Sequence, residues 1–305
     1  MEIDKKILDL YFSLKEKLEA SNFAVNDFGK ISYGIQFSIF QNNWKGVLRI
    51  FLNKKGILKI DYSQLHSDAY ERNIKNISGD KTTVPEKLSL GFPIIGTDES
   101  GKGDYFGPLV SAGVYLTQET ANKLSEAGVK DSKELSDDKN MKLSSAILEL
   151  CKGRFSIIEV SPEKYNDLYD KFKREKKNLN TLLAWGHAKA IEEILTNVSC
   201  EIAISDQFAD EKFILSKLQE RGRKIKLIQM HKAEQNVAVA AASIIARARF
   251  LTKLSKISKE YKMEFPKGAS AVVVQRAREF VKDNGKELLK KVAKLHFKTT
   301  KEVLG

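Results

Sequence analysis

Two adjacent carboxylates, Asp98 and Glu99, close the apolar run Ile94-Ile95-Gly96-Thr97 and are followed at once by Ser100-Gly101-Lys102-Gly103. These residue types point to metal and phosphate. Carboxylates supply hard oxygen donors, and a lysine between glycines, with backbone amides that come close to a ligand, makes an anion cradle. Adjacent strand residues face opposite sides, so regular strand geometry cannot aim both acids at one ion. One of them binds directly, while the other is turned in by the glycine turn or acts through water. A purely structural alternative stands beside this: the acids cap a helix and the glycines make a tight turn. A second rival is a phosphate-binding loop, because Gly96 to Lys102 fits GxxxxGK. There Gly103 occupies the position that needs a Ser or Thr hydroxyl for magnesium, and Gly107-Pro108 interrupts the helix that must follow. Nucleotide triphosphatase is the lesser reading.

Such a site needs strands and helices to hold it. Ile94–Thr97, Leu109–Leu116, Phe155–Val160, Ile202–Ser205 and Lys226–Gln229 read as strands with helical patterns between them, giving an α/β or α+β domain. Ahead of it, Ile3, Ile7, Leu10, Leu14 and Leu18 recur at helical spacing, and Ile31, Tyr33, Ile35, Phe37 and Ile39 alternate with Ser32, Gly34, Gln36 and Ser38 as in a half-buried strand. Runs at Trp44–Phe51 and Ile57–Tyr62 extend a meander, with a hairpin turn at Asn53-Lys54-Lys55-Gly56. The face opposite the helix would present Ser32, Gln36, Ser38, Lys45, Arg49 and Lys59, either a nucleic-acid platform or an ordinary solvated face. Residues 63–90 are polar and read as a connector.

The 305 residues carry a net charge of +12, and the first 80 hold 12 basic against 10 acidic side chains, so most of the excess lies beyond them. That balance favours a polyanionic partner. No apolar stretch approaches the ~20 residues of a membrane span, and acids and lysines stand where a signal peptide needs an apolar run. The chain is expected in the cytoplasm. Cys151 and Cys200 show no metal-binding spacing and read as buried thiols.

DESGKGDYFGPLV at 98–110 resembles the type 2 ribonucleases H in their ribonuclease HIII form; the sister ribonuclease HII form has arginine where Lys102 stands. VKDSKELSD at 129–137, KNLNTLLAWGHAKAI at 177–191, ISDQFA at 204–209 and HKAEQNVAVAAASIIARA at 231–248 follow in that family's order. The resemblance implies a ribonuclease H-like catalytic domain over 83–305, a central mixed sheet flanked by helices. Over 1–82 it implies a small α+β substrate-binding domain like the TATA-binding protein, plus linker. It implies an endoribonuclease that hydrolyses the RNA strand of RNA/DNA hybrids with two divalent ions, Mg2+ or Mn2+, leaving 5′-phosphate and 3′-hydroxyl ends. A non-catalytic hybrid-binding protein is the alternative.

The family's four carboxylates fall here on Asp98, Glu99, Asp206 and Glu234, as catalytic residues and metal ligands. Asp206 ends an apolar strand run; Asp210 is the decoy beside it. Ser100, Gly101, Lys102 and Gly103 are expected to meet ribose 2′-hydroxyls, and Lys133 a phosphate. The basic run 171–177 and the lysines of 282–301 are weaker phosphate candidates, since charge runs are usually solvated faces. His66, His187, His231 and His296 are read as structural or substrate-adjacent rather than as bases. Phe265-Pro266-Lys267-Gly268-Ala269-Ser270 lacks the tyrosine with which ribonucleases HII recognise a lone ribonucleotide. The partner expected is hybrid nucleic acid, with no membrane, and the chain is expected to be a monomer.

Overall fold

The computed structural model describes residues 3–52, 58–65, 67–79, 91–206, 211–230 and 233–305. It divides into two compact units, Met1–Ser89 and Leu90–Gly305, each with its own apolar core.

In the first unit, α1 (Lys5–Ala20) starts under an Asp4 cap and buries Ile7, Leu14 and Leu18 of the stripe its spacing predicts, with Tyr11 in addition, while Ile3 and Leu10 are only partly buried. The strands β1 (Ala24–Val25), β2 (Gly29–Ile31), β3 (Gly34–Gln41), β4 (Trp44–Leu52) and β5 (Leu58–Gln64) form one antiparallel sheet. Ile35, Phe37, Ile39, Leu48 and Ile50 enter the core with the helix.

Tyr33 departs from its expected place: it is 83% exposed, with φ +64°, in a turn that folds β2 back on β3. The turn breaks what reads as one strand, and removes Ser32 from the outer face. The polar connector is also shorter than expected, because α2 (Asp68–Ser78) buries Ile74 within it. Among the described residues of α2, Ile74 alone is deeply buried, so polar composition masks the helix. The 53–56 turn, His66 and residues 80–90 lie outside the described residues.

On the outer face the register sets Gln36, Arg49 and Asp61 side by side. Arg49 donates to Gln36 (3.4 Å) and stands 3.8 Å from the Asp61 carboxylate. The acid-free stretch therefore meets an acid at its edge, while Lys45 and Lys59 remain exposed.

The second unit runs β6 (Ile94–Ser100), β7 (Leu109–Leu116), α3 (Gln118–Glu126), α4 (Asp137–Leu150), β8 (Phe155–Val160), α5 (Pro162–Arg174) and α6 (Leu179–Ile194). It continues with β9 (Ile202–Asp206), α7 (Lys212–Leu215), β10 (Lys226–Met230), α8 (Val237–Glu260), α9 (Ala271–Asn284), α10 (Leu289–Val292) and α11 (Lys298–Leu304). The mixed sheet has the order β10-β9-β6-β7-β8, with β10, β9 and β6 parallel and β7 and β8 antiparallel to their neighbours.

Helices cover both faces. The alanines of α8 let it approach β6 so closely that a Cβ on Gly96 would collide with the backbone of Ala238 and Val239. On the other side α6 packs on β7 and β8. Cys151 is buried and Cys200, expected to be buried, is only partly so; both are free thiols. Among the described residues no helix is long and apolar enough to cross a membrane.

Candidate active site

Strand β6 stays regular through Ser100, which pairs with Val110. The stretch Gly96–Ser100 is therefore strand and not a phosphate-binding loop, and of the two routes the sequence left open the glycine turn does not swing either acid round to the other's face. Asp98 and Glu99 straddle the sheet instead, as a period of two requires. Asp98 faces α8, from which the Ser243 hydroxyl favours its ionised form. Glu99 faces α6, where its Oε2 lies 3.1 Å from His187 Nε2, while its Oε1 accepts from Lys102 at 3.2 Å.

Electrostatics separates the two acids. Burial and the negative charge of Glu99 push the Asp98 pKa up. Burial acts on Glu99 too, but hydrogen bonding and charge from His187 and Lys102 outweigh it and hold its pKa down.

Three of the predicted acids belong together. Thr97 pairs with Ser205 across parallel strands β6 and β9, so Asp98 and Asp206, one step on, stand side by side where the pairing of these two strands ends. Glu234 sits in the single turn Ala233–Gln235 packed on β9 just ahead of α8. Lys133 feels the charge of all three. Burial opposes its charge, yet Asp131, Asp98, Glu234 and Asp206 together raise its pKa above the ordinary value. As the side chains stand, no three His, Cys, Asp or Glu groups among the described residues are gathered tightly enough to hold an ion. The donor chemistry nevertheless fits a hard divalent cation: all-oxygen, net negative, at strand ends where open sheets bind ligands. Asp210 and His231 lie outside the described residues.

The glycine turn is built by two different constraints. Gly101 has φ +86°, and a Cβ there would run into the carbonyl oxygen of Pro108, so the fold itself demands glycine. Gly103 is exposed, and a Cβ there would meet nothing within 4 Å. No contact within the described chain requires glycine at 103. Ser100 is half-buried at the end of β6 and Lys102 exposed beyond it.

Segments remote in sequence pin this turn. Asp104 Oδ1 accepts from Gly268 N (2.7 Å), and Gly268 O accepts from Tyr105 N (2.8 Å). Gly107 N donates to Val292 O (2.9 Å), and Lys294 N to Tyr105 O (2.8 Å). Lys294 itself is wholly buried, with Nζ 2.6 Å from Gly107 O, and burial lowers its pKa to about 7. It is therefore withdrawn from the lysines of 282–301 expected to meet phosphate. The basic run 171–177 is exposed at the end of α5 and just beyond it.

Sequence reasoning read His187 as structural or substrate-adjacent without naming its partners, and did not single out Ser243, Asp104 or Lys294. The one visible signal was His187 itself, an imidazole within an otherwise apolar, small-residue run on α6.

Residues 95–300 match the family model described as Ribonuclease HII. Ribonuclease HIII of Chlamydia muridarum is 38% identical over 305 residues, covering 97% of this chain and 94% of that protein. Ribonuclease HIII of Protochlamydia amoebophila is 46% identical over 213 residues, 70% of this chain and 69% of that protein. A crystal structure of Bst-RNase HIII in complex with Mn2+ aligns with a TM-score of 0.65 at 28% identity, covering 100% of this chain and 97% of that one.

Proposed function

The chain belongs to the ribonuclease HIII family of type 2 ribonucleases H, and from that premise we propose that it cuts the RNA strand of RNA/DNA hybrids, leaving 5′-phosphate and 3′-hydroxyl ends. The observation that carries the reading is that Asp98 and Asp206 stand side by side on the paired strands β6 and β9, with Glu234 on the turn packed against β9 and the charge of all three felt by Lys133. A purely structural cap would not need three acids from separate segments.

Asp98, Asp206 and Glu234 would hold the divalent ions, Mg2+ or Mn2+, with Glu99 contributing from the opposite side of β6. Two such ions, when bound, supply an activated water and offset charge on the leaving 3′ oxygen. Lys133 neutralises a substrate phosphate, and Lys102 extends that field while bridging to Glu99. His187 is no base: it is buried, and both ring nitrogens are hydrogen-bonded. The backbone of Ser100–Gly103 reads the ribose 2′-hydroxyls that distinguish RNA from DNA, and the open space at Gly103 supports that approach.

Residues 83–305 form the catalytic domain in this reading, and 1–82 a substrate-binding unit resembling the TATA-binding protein, with its linker. Cutting at a lone embedded ribonucleotide is weak. In support, Phe265 is buried against Phe106 and Phe280, and Lys267 pairs with Asp137, so the 265–270 segment offers the substrate no tyrosine.

The direct test compares a uniform hybrid, a duplex with a single ribonucleotide and double-stranded RNA, each with Mg2+ and with Mn2+. The uniform hybrid should be cut fastest. Cleavage that survives complete chelation, or equal cutting of double-stranded RNA, rules the proposal out.

A further inference from the structure

The two acids of the motif are each supported from outside the strand, and on the Asp98 side that support passes through two serines. Strand and helix rise explain how Ser243 reaches its place. The position of Gly96 meets the backbone of Ala238 and Val239. Two residues along β6 advance about 6.8 Å, and four along α8 about 6 Å. Asp98 thus comes abreast of Ser243, the polar residue that follows the alanines 240–242, whose hydroxyl favours the ionised carboxylate.

Ser243 Oγ lies 2.7 Å from Ser132 Oγ, and both side chains are buried. When Asp98 is ionised its carboxylate only accepts, so in that state Ser243 donates to it and the Ser243 oxygen accepts from Ser132. Ser132 begins the turn Ser132–Glu134, which carries Lys133 as its next residue. That turn is fixed in its own right. Asn140 Nδ2 donates to Ser132 O (2.9 Å), with Ser136 O and Leu135 O at 3.2 and 3.3 Å, and Asp131 Oδ1 accepts from Lys133 N.

We propose that Ser243 is a positioning residue for Asp98 and that Ser132 fixes the direction of its hydroxyl, so that the Lys133 turn and the Asp98 carboxylate are set as one unit. The proposal rests on Asp98 being an ion-holding carboxylate. A hydroxyl aimed at one oxygen leaves the other oriented for an ion, and the same chain fixes how far Lys133 stands from it. Loss of the outer support of a metal ligand costs about 10–100-fold in affinity or activity.

The test measures Mn2+ binding by calorimetry alongside hybrid cleavage, in the full chain, for Ser243→Ala, Ser243→Cys, Ser132→Ala, the Ser132→Ala/Ser243→Ala pair and Asp98→Asn. Ser243→Cys keeps the volume but donates poorly, so it covers the case in which the alanine variant fails to fold. Ser243→Ala and Ser243→Cys should weaken Mn2+ binding by about 10–100-fold and lower kcat, with KM for hybrid little changed. Ser132→Ala should do less, and the double variant should be no worse than Ser243→Ala alone, because both act through one chain. Wild-type Mn2+ affinity in folded Ser243→Cys, or fully additive losses in the pair, overturns the proposal. Asp98→Asn separates the two levels: if it abolishes binding and cleavage while the serine variants do not, only the relay is wrong. If it too leaves both intact, the ion-holding reading falls with it.

Discussion

His187 Nε2 lies 3.1 Å from Glu99 Oε2 while Nδ1 of the same ring lies 2.9 Å from Thr97 Oγ1, so one wholly buried imidazole joins two residues that face α6 from β6. The carboxylate only accepts, which gives Nε2 a proton, while Thr97 Oγ1, the partner of Nδ1, also reaches Ile204 O at 3.5 Å. His187→Ala should lower kcat by about 10–100-fold. His187→Gln, whose amide can still donate to Glu99, should recover part of that loss. Thermal denaturation run in parallel separates the effect from misfolding; a folded alanine variant with wild-type kcat would remove Glu99 from the reacting centre.

The two glycines flanking Lys102 should respond differently. Gly101→Ala forces a left-handed residue, costing about 1–2 kcal/mol from conformation alone, and drives its Cβ into Pro108 O. It should lower Tm and activity together. Gly103→Ala should stay within about 0.5 kcal/mol of wild-type stability yet weaken hybrid cleavage. A fully active Gly103→Ala enzyme would show that substrate does not approach there.

Much of this was legible in one dimension. The α1 stripe and the ends of β7 and β8 follow from apolar spacing, and Asp98-Glu99 stands out because paired acids rarely end an apolar strand. The face each acid takes was only half legible: a period of two separates them, but whether the glycine turn restores them depends on where β6 ends, which its pairing with β7 decides. His187 and Ser243 lie far from the acids in sequence, and their identity as partners exists only once α6 and α8 have docked on opposite faces. Tyr33 kept the strand period while its backbone left the strand, and Lys294 looked like any surface lysine until the fold closed over it.

Lys294 makes stability depend on pH above neutrality. Its folded pKa, about 7, lies below the ordinary value of 10.5, so between those values the unfolded chain holds the proton that the folded chain has released. The unfolded state binds more protons there, and stability from this group rises with pH across that window. Below about pH 7 the charge is buried at full cost. Lys294→Met should therefore be more destabilising relative to wild type at pH 9 than at pH 6, read from Tm. An identical difference at both values would mean the ammonium is not held out of water.

Lys45 and Lys59 test the outer face of the first unit, because Arg49 is already held by Asp61. If each lysine neutralises one phosphate, replacing both with alanine should flatten the slope of log affinity against log salt by about 1.8. The readout is hybrid binding across a salt series with the metal-free chain. An unchanged slope would make this an ordinary solvated face.

Asp98→Asn bears most directly on the site, because it removes one charge from the acid group at the ends of β6 and β9 while keeping the shape of the side chain. Cleavage of a uniform hybrid, in saturating Mg2+ and again in saturating Mn2+, should be abolished, while hybrid affinity measured on the same sample stays close to wild type. Retention of cleavage with either ion present would contradict the assignment of Asp98 to the centre of the reaction.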